Sequence, residues 1–302
     1  MSGGIQPVQS LPAIDVLDLT KRFNTALAVD RVSFSCRQGE ILGLLGPNGA
    51  GKTTTLRMLA TALRPTSGTA RINGFDITTR PEEVRRRIGV LPSEPGLYGR
   101  LTPREILRYF GQLYDMTPGA IESRTRELLS MLGLDEHGDQ RTETFSRGMR
   151  QKVSIARTLL HDPPVIFLDE PTAGLDVMSA RAIHDFIIQC RAAGKSIILS
   201  THVMAEAERL CDRIAIINRG RIIAIGTMEE LRSLAASPYS YPRPHPQPHP
   251  ETRQAAEHGH TRAAAVSPAG PGPVTLEEIF VKLAGQDQDK GEDEKPNKKA
   301  SR

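Results

Sequence analysis

From residue 13 to about residue 235, short apolar runs alternate with stretches of helical character. Ile41–Leu45, Val165–Leu168 and Ser196–Leu199 are almost continuously apolar, as strands buried on both faces of a parallel sheet are. Ile106–Tyr114, Ile121–Leu132 and Met178–Arg191 read as helices lying between them. Strands alternating with helices predict an α/β domain. Ile14–Leu19 and Val32–Cys36 are more alternating and predict an additional antiparallel β layer.

The pattern breaks at residue 236. Residues 236–274 hold nine prolines, with Pro-Arg-Pro-His-Pro-Gln-Pro-His-Pro at 242–250. Proline fixes φ and removes a backbone donor, so this stretch is expected to be an extended or disordered linker. Its four histidines have no partner ligands at fixed helical spacing and read as solvated. Residues 275–285 return to an amphipathic helical pattern, with Thr275 as cap and Glu278 at capping-box spacing. Residues 1–12 are expected to form a flexible N-terminus. Residues 286–302 carry five acids and five bases without an apolar run, and are expected to be a disordered tail.

Composition narrows the function. The chain has 302 residues, 38% of them hydrophobic, enough for a sizeable core. Aromatic residues make up 4% and Trp is absent, which argues against ligands held by stacking, such as single-stranded nucleic acid. The net charge of +4 gives no whole-chain nucleic-acid footprint. Cys36, Cys190 and Cys211 are an odd set without metal-ligand spacing, which fits a reducing compartment. No apolar run is long enough to cross a bilayer, and the first residues lack the basic-then-apolar pattern of a secretory signal. The chain is expected to stay in the cytosol.

The chemistry is concentrated in two segments. Gly46-Pro47-Asn48-Gly49-Ala50-Gly51-Lys52-Thr53, followed by Thr54, is the G-x-x-x-x-G-K-[ST] phosphate-binding loop, set between a buried strand and a helical run over Thr54–Leu63. Glycines let backbone N–H groups turn inward on phosphate oxygens, and the helix start adds partial positive charge. Lys52 can reach the β- and γ-phosphates, and the Thr53 hydroxyl can ligate Mg²⁺. Downstream, the strand Val165–Leu168 ends in Asp169 and Glu170. Asp169 at the strand tip can hold the Mg²⁺ shell. Glu170, one residue on, points the other way and can act as general base toward an attacking water. A nucleoside triphosphate with Mg²⁺ is the ligand that needs both halves.

Taken in order, further motifs resemble those of the ATP-binding-cassette (ABC) ATPases over residues 13–235. Phe145-Ser146-Arg147-Gly148-Met149 resembles the family signature, usually Leu-Ser-Gly-Gly-Gln. Ala173-Gly174-Leu175-Asp176 resembles the D-loop, and Ser200-Thr201-His202 resembles the switch-histidine loop. Phe23 lies where the family places an aromatic against adenine. The resemblance implies a phosphate-loop NTPase cassette: a RecA-like parallel sheet core, an antiparallel β subdomain, and a helical subdomain over about 93–160 carrying the signature. It also implies a head-to-tail homodimer in which Ser146 and Gly148 of one subunit close over the γ-phosphate held by Lys52 of the other. His202 would contact that phosphate, and Asp176 would lie in the same seam.

Two departures stand out. Ser93 occupies the position where the family usually has Gln, and its hydroxyl is too short to reach Mg²⁺ or water unaided. Glu94 can substitute, or the contact is lost. Arg147 replaces a signature Gly and either faces the partner's phosphate or is a solvated charge. Gly-Leu-Tyr-x-Arg-Leu-Thr-Pro-Arg-Glu at 96–105, the signature and His-Asp-Pro-Pro at 161–164 resemble the sodium-exporting subgroup of the NatA type. The resemblance implies an ATPase subunit at the cytoplasmic face of the cell membrane. It would dock near residues 93–110 on an integral membrane permease and drive export of Na⁺, or of a drug, peptide or lipid. A soluble ABC ATPase on nucleic acid or the ribosome is the competing class. It is disfavoured because the chain holds one cassette, no heptad arm and a neutral tail. A non-hydrolysing regulator has only Ser93 in its favour.

Overall fold

The computed structural model describes residues 11–236 and 275–292. In chain order the strands and helices are β1 (Ile14–Phe23), β2 (Ala26–Cys36), β3 (Ile41–Leu45), α1 (Lys52–Leu59), β4 (Ser67–Ile72), β5 (Phe75–Asp76), α2 (Pro81–Arg85) and β6 (Ile88–Leu91). There follow α3 (Pro103–Leu113), α4 (Pro118–Met131), α5 (Arg147–Leu159), β7 (Val165–Asp169), α6 (Val177–Ala192) and β8 (Ser196–Thr201). The described chain ends with α7 (Met204–Leu210), β9 (Arg213–Asn218), β10 (Arg221–Gly226), α8 (Met228–Ala236) and α9 (Leu276–Glu292).

Two sheets form. The first is antiparallel, in the order β2-β1-β4-β5, and contains both alternating segments. The second runs β10-β9-β3-β8-β7-β6. Its inner pairs are parallel, but β10 joins β9 antiparallel, so the core sheet is mixed at one edge. An antiparallel edge strand is a common addition to a parallel sheet. Every residue of β3, β7 and β8 is buried, which accounts for their unbroken apolar runs. Alternate residues of β3 serve opposite faces. Leu42 and Leu44 join the core shared with the antiparallel sheet and α1, while Ile41 joins the core beneath α3–α6.

Helix ends follow local chemistry. Thr102 caps α3 in a capping box with Glu105, and Thr117 caps α4. The helix expected over Thr54–Leu63 spans Lys52–Leu59 instead. Thr61 turns left-handed at φ +58°, and the amides of Ala62 and Leu63 fold back onto the Arg57 carbonyl.

The capping box expected at Thr275 forms, with Thr275 N donating to Glu278 Oε2 at 2.9 Å and Glu278 N to Thr275 Oγ1 at 3.3 Å. This helix does not stop at residue 285 but runs to Glu292. Its second half is polar, and a helix that has already nucleated needs no apolar stripe to propagate. Leu276 and Ile279, fully buried, pack it onto α7 and α8. The expected flexible N-terminus falls outside the described residues up to residue 10, as do the linker from residue 237 and the tail from residue 293.

Candidate nucleotide site

Strand register brings the motifs together. Leu45 at the end of β3 pairs with Thr201 of β8, and Asp169 at the end of β7 pairs with Ser200. The loops that follow all leave the carboxyl edge of the sheet, where open α/β sheets bind ligands. Residues 46–51, Glu170 and His202 are therefore neighbours although 156 positions separate the first from the last.

The phosphate loop has the shape its glycines require. Gly49 and Gly51 adopt φ of +79° and +107°, which only glycine takes readily. A Cβ on Gly51 would lie 2.7 Å from the Ala28 carbonyl oxygen. The turn between β9 and β10 braces the loop from behind: Gly220 N donates to Ala50 O at 2.9 Å, and Asp30 N to Gly220 O at 2.8 Å. The first amides of α1 have no intrahelical acceptor, so they are free to face an anion. Ala28, Asn48, Gly49, Gly51, Lys52, Thr53, Thr54 and Glu170 line a cavity of about 150 Å³. Gly46, Pro47 and Ala50 shape the loop behind it.

Lys52 and Glu170 meet at this cavity, with His202 and Asp169 beside it. Lys52 is only 4% exposed, and its Nζ donates to Gly46 O at 2.8 Å and Pro47 O at 3.1 Å. The same ammonium lies 3.4 Å from Glu170 Oε1. His202 Nδ1 approaches that oxygen to 3.1 Å. Asp169 faces elsewhere: its Oδ1 accepts from Thr53 Oγ1 at 3.1 Å and from Ser200 Oγ at 2.5 Å. The two neighbouring carboxylates thus point to different partners, because β7 ends at Asp169 and the chain turns at Glu170. Glu170 itself is left-handed at φ +49°, a conformation that costs a non-glycine residue about 1–3 kcal/mol and concentrates at functional sites.

These residues fit MgATP. A glycine cradle with free amides and one buried ammonium suits a polyphosphate. The Thr53 hydroxyl and the Asp169 carboxylate are adjacent oxygen donors of the kind Mg²⁺ takes. Among the described residues, no group of three or more His, Cys, Asp or Glu side chains is placed to hold a metal. A cation here would draw its remaining ligands from phosphate and water.

The other expected site residues form a second group. Ser146 caps α5 by accepting from Met149 N at 3.2 Å. Gly148 packs so closely on α6 that an added Cβ would lie 2.5 Å from Ser179 Oγ. Asp176 caps α6, accepting from Ser179 N at 2.9 Å and Ser179 Oγ at 2.7 Å, which holds its carboxyl below the usual range. Gln151 Nε2 donates to Pro171 O at 2.8 Å and ties the signature helix to the end of β7. The Arg147 guanidinium lies against the backbone of Gly174 in the D-loop.

None of Ser146, Gly148 and Asp176 lines the Lys52 cavity, and neither do Ser93 and Phe23. Phe23 ends β1, 45% exposed, with Lys21 Nζ 5.1 Å from its ring centre. Ser200, quoted above only as the first residue of the switch-histidine motif, orients Asp169, and Gly220, which carries no sequence signal of its own, braces the loop from 170 residues away.

Comparison with known proteins agrees with this geometry. The family model described as ABC transporter matches residues 29–173. The ABC transporter ATP-binding protein NatA of Bacillus subtilis (strain 168) is 44% identical over 223 residues, spanning 72% of this chain and 91% of that protein. The daunorubicin/doxorubicin resistance ATP-binding protein DrrA of Streptomyces peucetius is 42% identical, over 76% of this chain and 69% of its own. A solved structure of an ATP-binding subunit of an ABC transporter superposes with a TM-score of 0.68 at 35% identity, covering 74% of this chain and 92% of that one. The chain belongs to the ABC transporter family, as an ATP-binding subunit that hydrolyses ATP.

Proposed function

We propose that this chain is the motor of an exporter, working as a head-to-tail homodimer on the cytoplasmic face of the cell membrane. The observation that carries the reading is the separation of two anion-binding elements. Lys52 and the amides of α1 face one cavity, while the capped start of α5 at Ser146 lies outside it and is exposed. A second copy brings its Ser146 and Gly148 to the open side of the first copy's phosphate loop. ATP then bridges two subunits, and its hydrolysis lets them part.

In this reading Gly46–Thr54 hold the phosphates, Phe23 supports the base, and Thr53 and Asp169 hold Mg²⁺. The cation offsets phosphate charge as the γ-phosphoryl group leaves. Glu170 accepts the proton of the attacking water, and His202 contacts the γ-phosphate and steadies Glu170. Val177 and Met178 follow Asp176 and are 83% and 74% exposed, apolar surface that a partner subunit would cover.

The permease would dock on the helical subdomain near residues 93–110. Tyr98 and Tyr109 are exposed there and meet edge to face at 6.4 Å, giving an aromatic anchor of the kind interfaces favour. No helix among the described residues is long and apolar enough to cross a membrane, so the translocation path would come from that partner.

The dimer is tested by disulfide trapping. Asn48→Cys and Arg147→Cys are expected to crosslink between subunits when ATP is bound in a Glu170→Gln background, and not without nucleotide. Absence of the crosslink under both conditions would refute the head-to-tail seam. Native cysteines interfere little: Cys36 and Cys190 are buried, Cys211 is partly so, and burial pushes the thiols up, that of Cys190 to about 12, leaving almost no thiolate.

For cargo we propose Na⁺, on the resemblance of residues 96–105 to the sodium-exporting subgroup. The 42% identity to a daunorubicin/doxorubicin resistance protein favours drug export as the second reading. Vesicles holding this subunit and its permease decide between them: ATP-dependent ²²Na⁺ flux is expected, and drug flux without Na⁺ flux would reverse the assignment.

A further inference from the structure

Glu206 lies in the first turn of α7 and is 4% exposed. A buried carboxylate is unfavourable unless its oxygens are satisfied. Here three donors from three segments satisfy it. Thr172 Oγ1 donates to Oε1 at 2.7 Å, and His184 Nε2 meets the same oxygen at 2.9 Å. Thr201 Oγ1 donates to Oε2 at 2.5 Å. Burial pushes the Glu206 carboxyl up, but the bonds from His184, Thr201 and Thr172 outweigh it and hold the group below the usual range. It is therefore present as the ionised acceptor that these donors need.

The three partners lie on the segments that carry or adjoin Glu170, His202 and Asp176. Thr172 is two residues past Glu170. Thr201 immediately precedes His202, and its carbonyl accepts from Gly46 N of the phosphate loop at 3.3 Å. His184 is on α6, whose cap is Asp176 of the D-loop. The β7–β8 ladder pairs residues only as far as Asp169 with Ser200, and one last backbone bond runs from Glu170 N to Ser200 O at 3.0 Å. Beyond that point the Thr172 segment, the Thr201–His202 segment and α6 meet at one side chain.

We infer that Glu206 is a positioning residue for ATP hydrolysis: by joining Thr172, His184 and Thr201 it holds Glu170 and His202 at their 3.1 Å approach. Glu206 touches no reacting atom. Its effect passes through the geometry of two groups that do, and misplacement by about 1 Å can cost on the order of 10²-fold in rate.

The test uses the full chain with two variants. Glu206→Gln keeps volume but replaces one acceptor oxygen with a donor facing donors. Thr172→Val removes a single strut and keeps shape. In both, ATP turnover is expected to fall about tenfold or more with the KM for ATP little changed. Amide hydrogen exchange, which needs no turnover, is expected to quicken at residues 172–175 and also at 202–203, with β3 unchanged. The decisive result is Thr172→Val loosening residues 202–203 some 30 positions away. Exchange quickened only around the substituted residue, or kcat and KM moving together, would overturn the inference and leave Glu206 as packing. If Glu206→Gln does not fold, the Thr172→Val exchange pattern decides alone.

Discussion

Glu170→Gln is expected to lower ATP turnover by about 10²–10⁴-fold while the protein still binds ATP. The substitution keeps the length and the hydrogen-bonding oxygen of the side chain. What it removes is the capacity to take a proton from water. The site makes this loss specific. Glu170 Oε1 stands between an ammonium at 3.4 Å and an imidazole nitrogen at 3.1 Å, so an amide there can still keep the surroundings in place. The residue is 19% exposed, enough to meet a water but not to wander. None of the loop atoms that cradle phosphate depends on Glu170, because Lys52 is held independently by the carbonyls of Gly46 and Pro47. Binding and chemistry should therefore separate, as read by equilibrium binding of ATP beside steady-state phosphate release. Turnover within a few-fold of the unsubstituted protein would remove Glu170 as the base.

That separation rests on features of unequal legibility. The phosphate loop is readable because its constraint is local: φ at Gly49 and Gly51, and an α1 start that leaves amides free, are set by eight consecutive residues. The buried strands are readable because β3, β7 and β8 each carry an apolar run, Ile41–Leu45, Val165–Leu168 and Ile197–Leu199. Alternation along a strand predicts that Asp169 and Glu170 point apart, and they do meet different partners, but the cause is the left-handed turn at Glu170 just past the end of β7. Contacts made across the fold leave no such trace. Glu206 looks like one more acid in a polar helix until β8, α6 and the loop after β7 are brought around it. Gly220 looks like an ordinary turn glycine until the turn is seen to close on Ala50. The edge strand β10 carries an apolar run, Ile222–Ile225, like a central strand, yet most of its residues are only partly buried, so its place at the edge is not legible from the run. The length of α9 was not readable either, since its last turns carry no apolar stripe.

Lys52→Ala is expected to have the other large effect and a different signature: weakened ATP binding together with a fall in turnover of about 10²–10³-fold. The ammonium is almost wholly buried, and each of its contacts belongs to the site. Two loop carbonyls accept from it, so it helps close the loop over the position a phosphate takes. Its charge also offsets that of Glu170, which without it would face an incoming polyphosphate as an unopposed anion. Lys52→Arg should fare little better than alanine. A compact ammonium fits between two carbonyls at 2.8 and 3.1 Å, whereas a planar guanidinium on a rigid fork does not. The pair of substitutions thus divides the site into two functions. Loss at Lys52 appears in the dissociation constant for ATP and in the rate, and loss at Glu170 in the rate alone. A Lys52→Ala protein that bound ATP with unchanged affinity would place the phosphates somewhere other than the loop after β3.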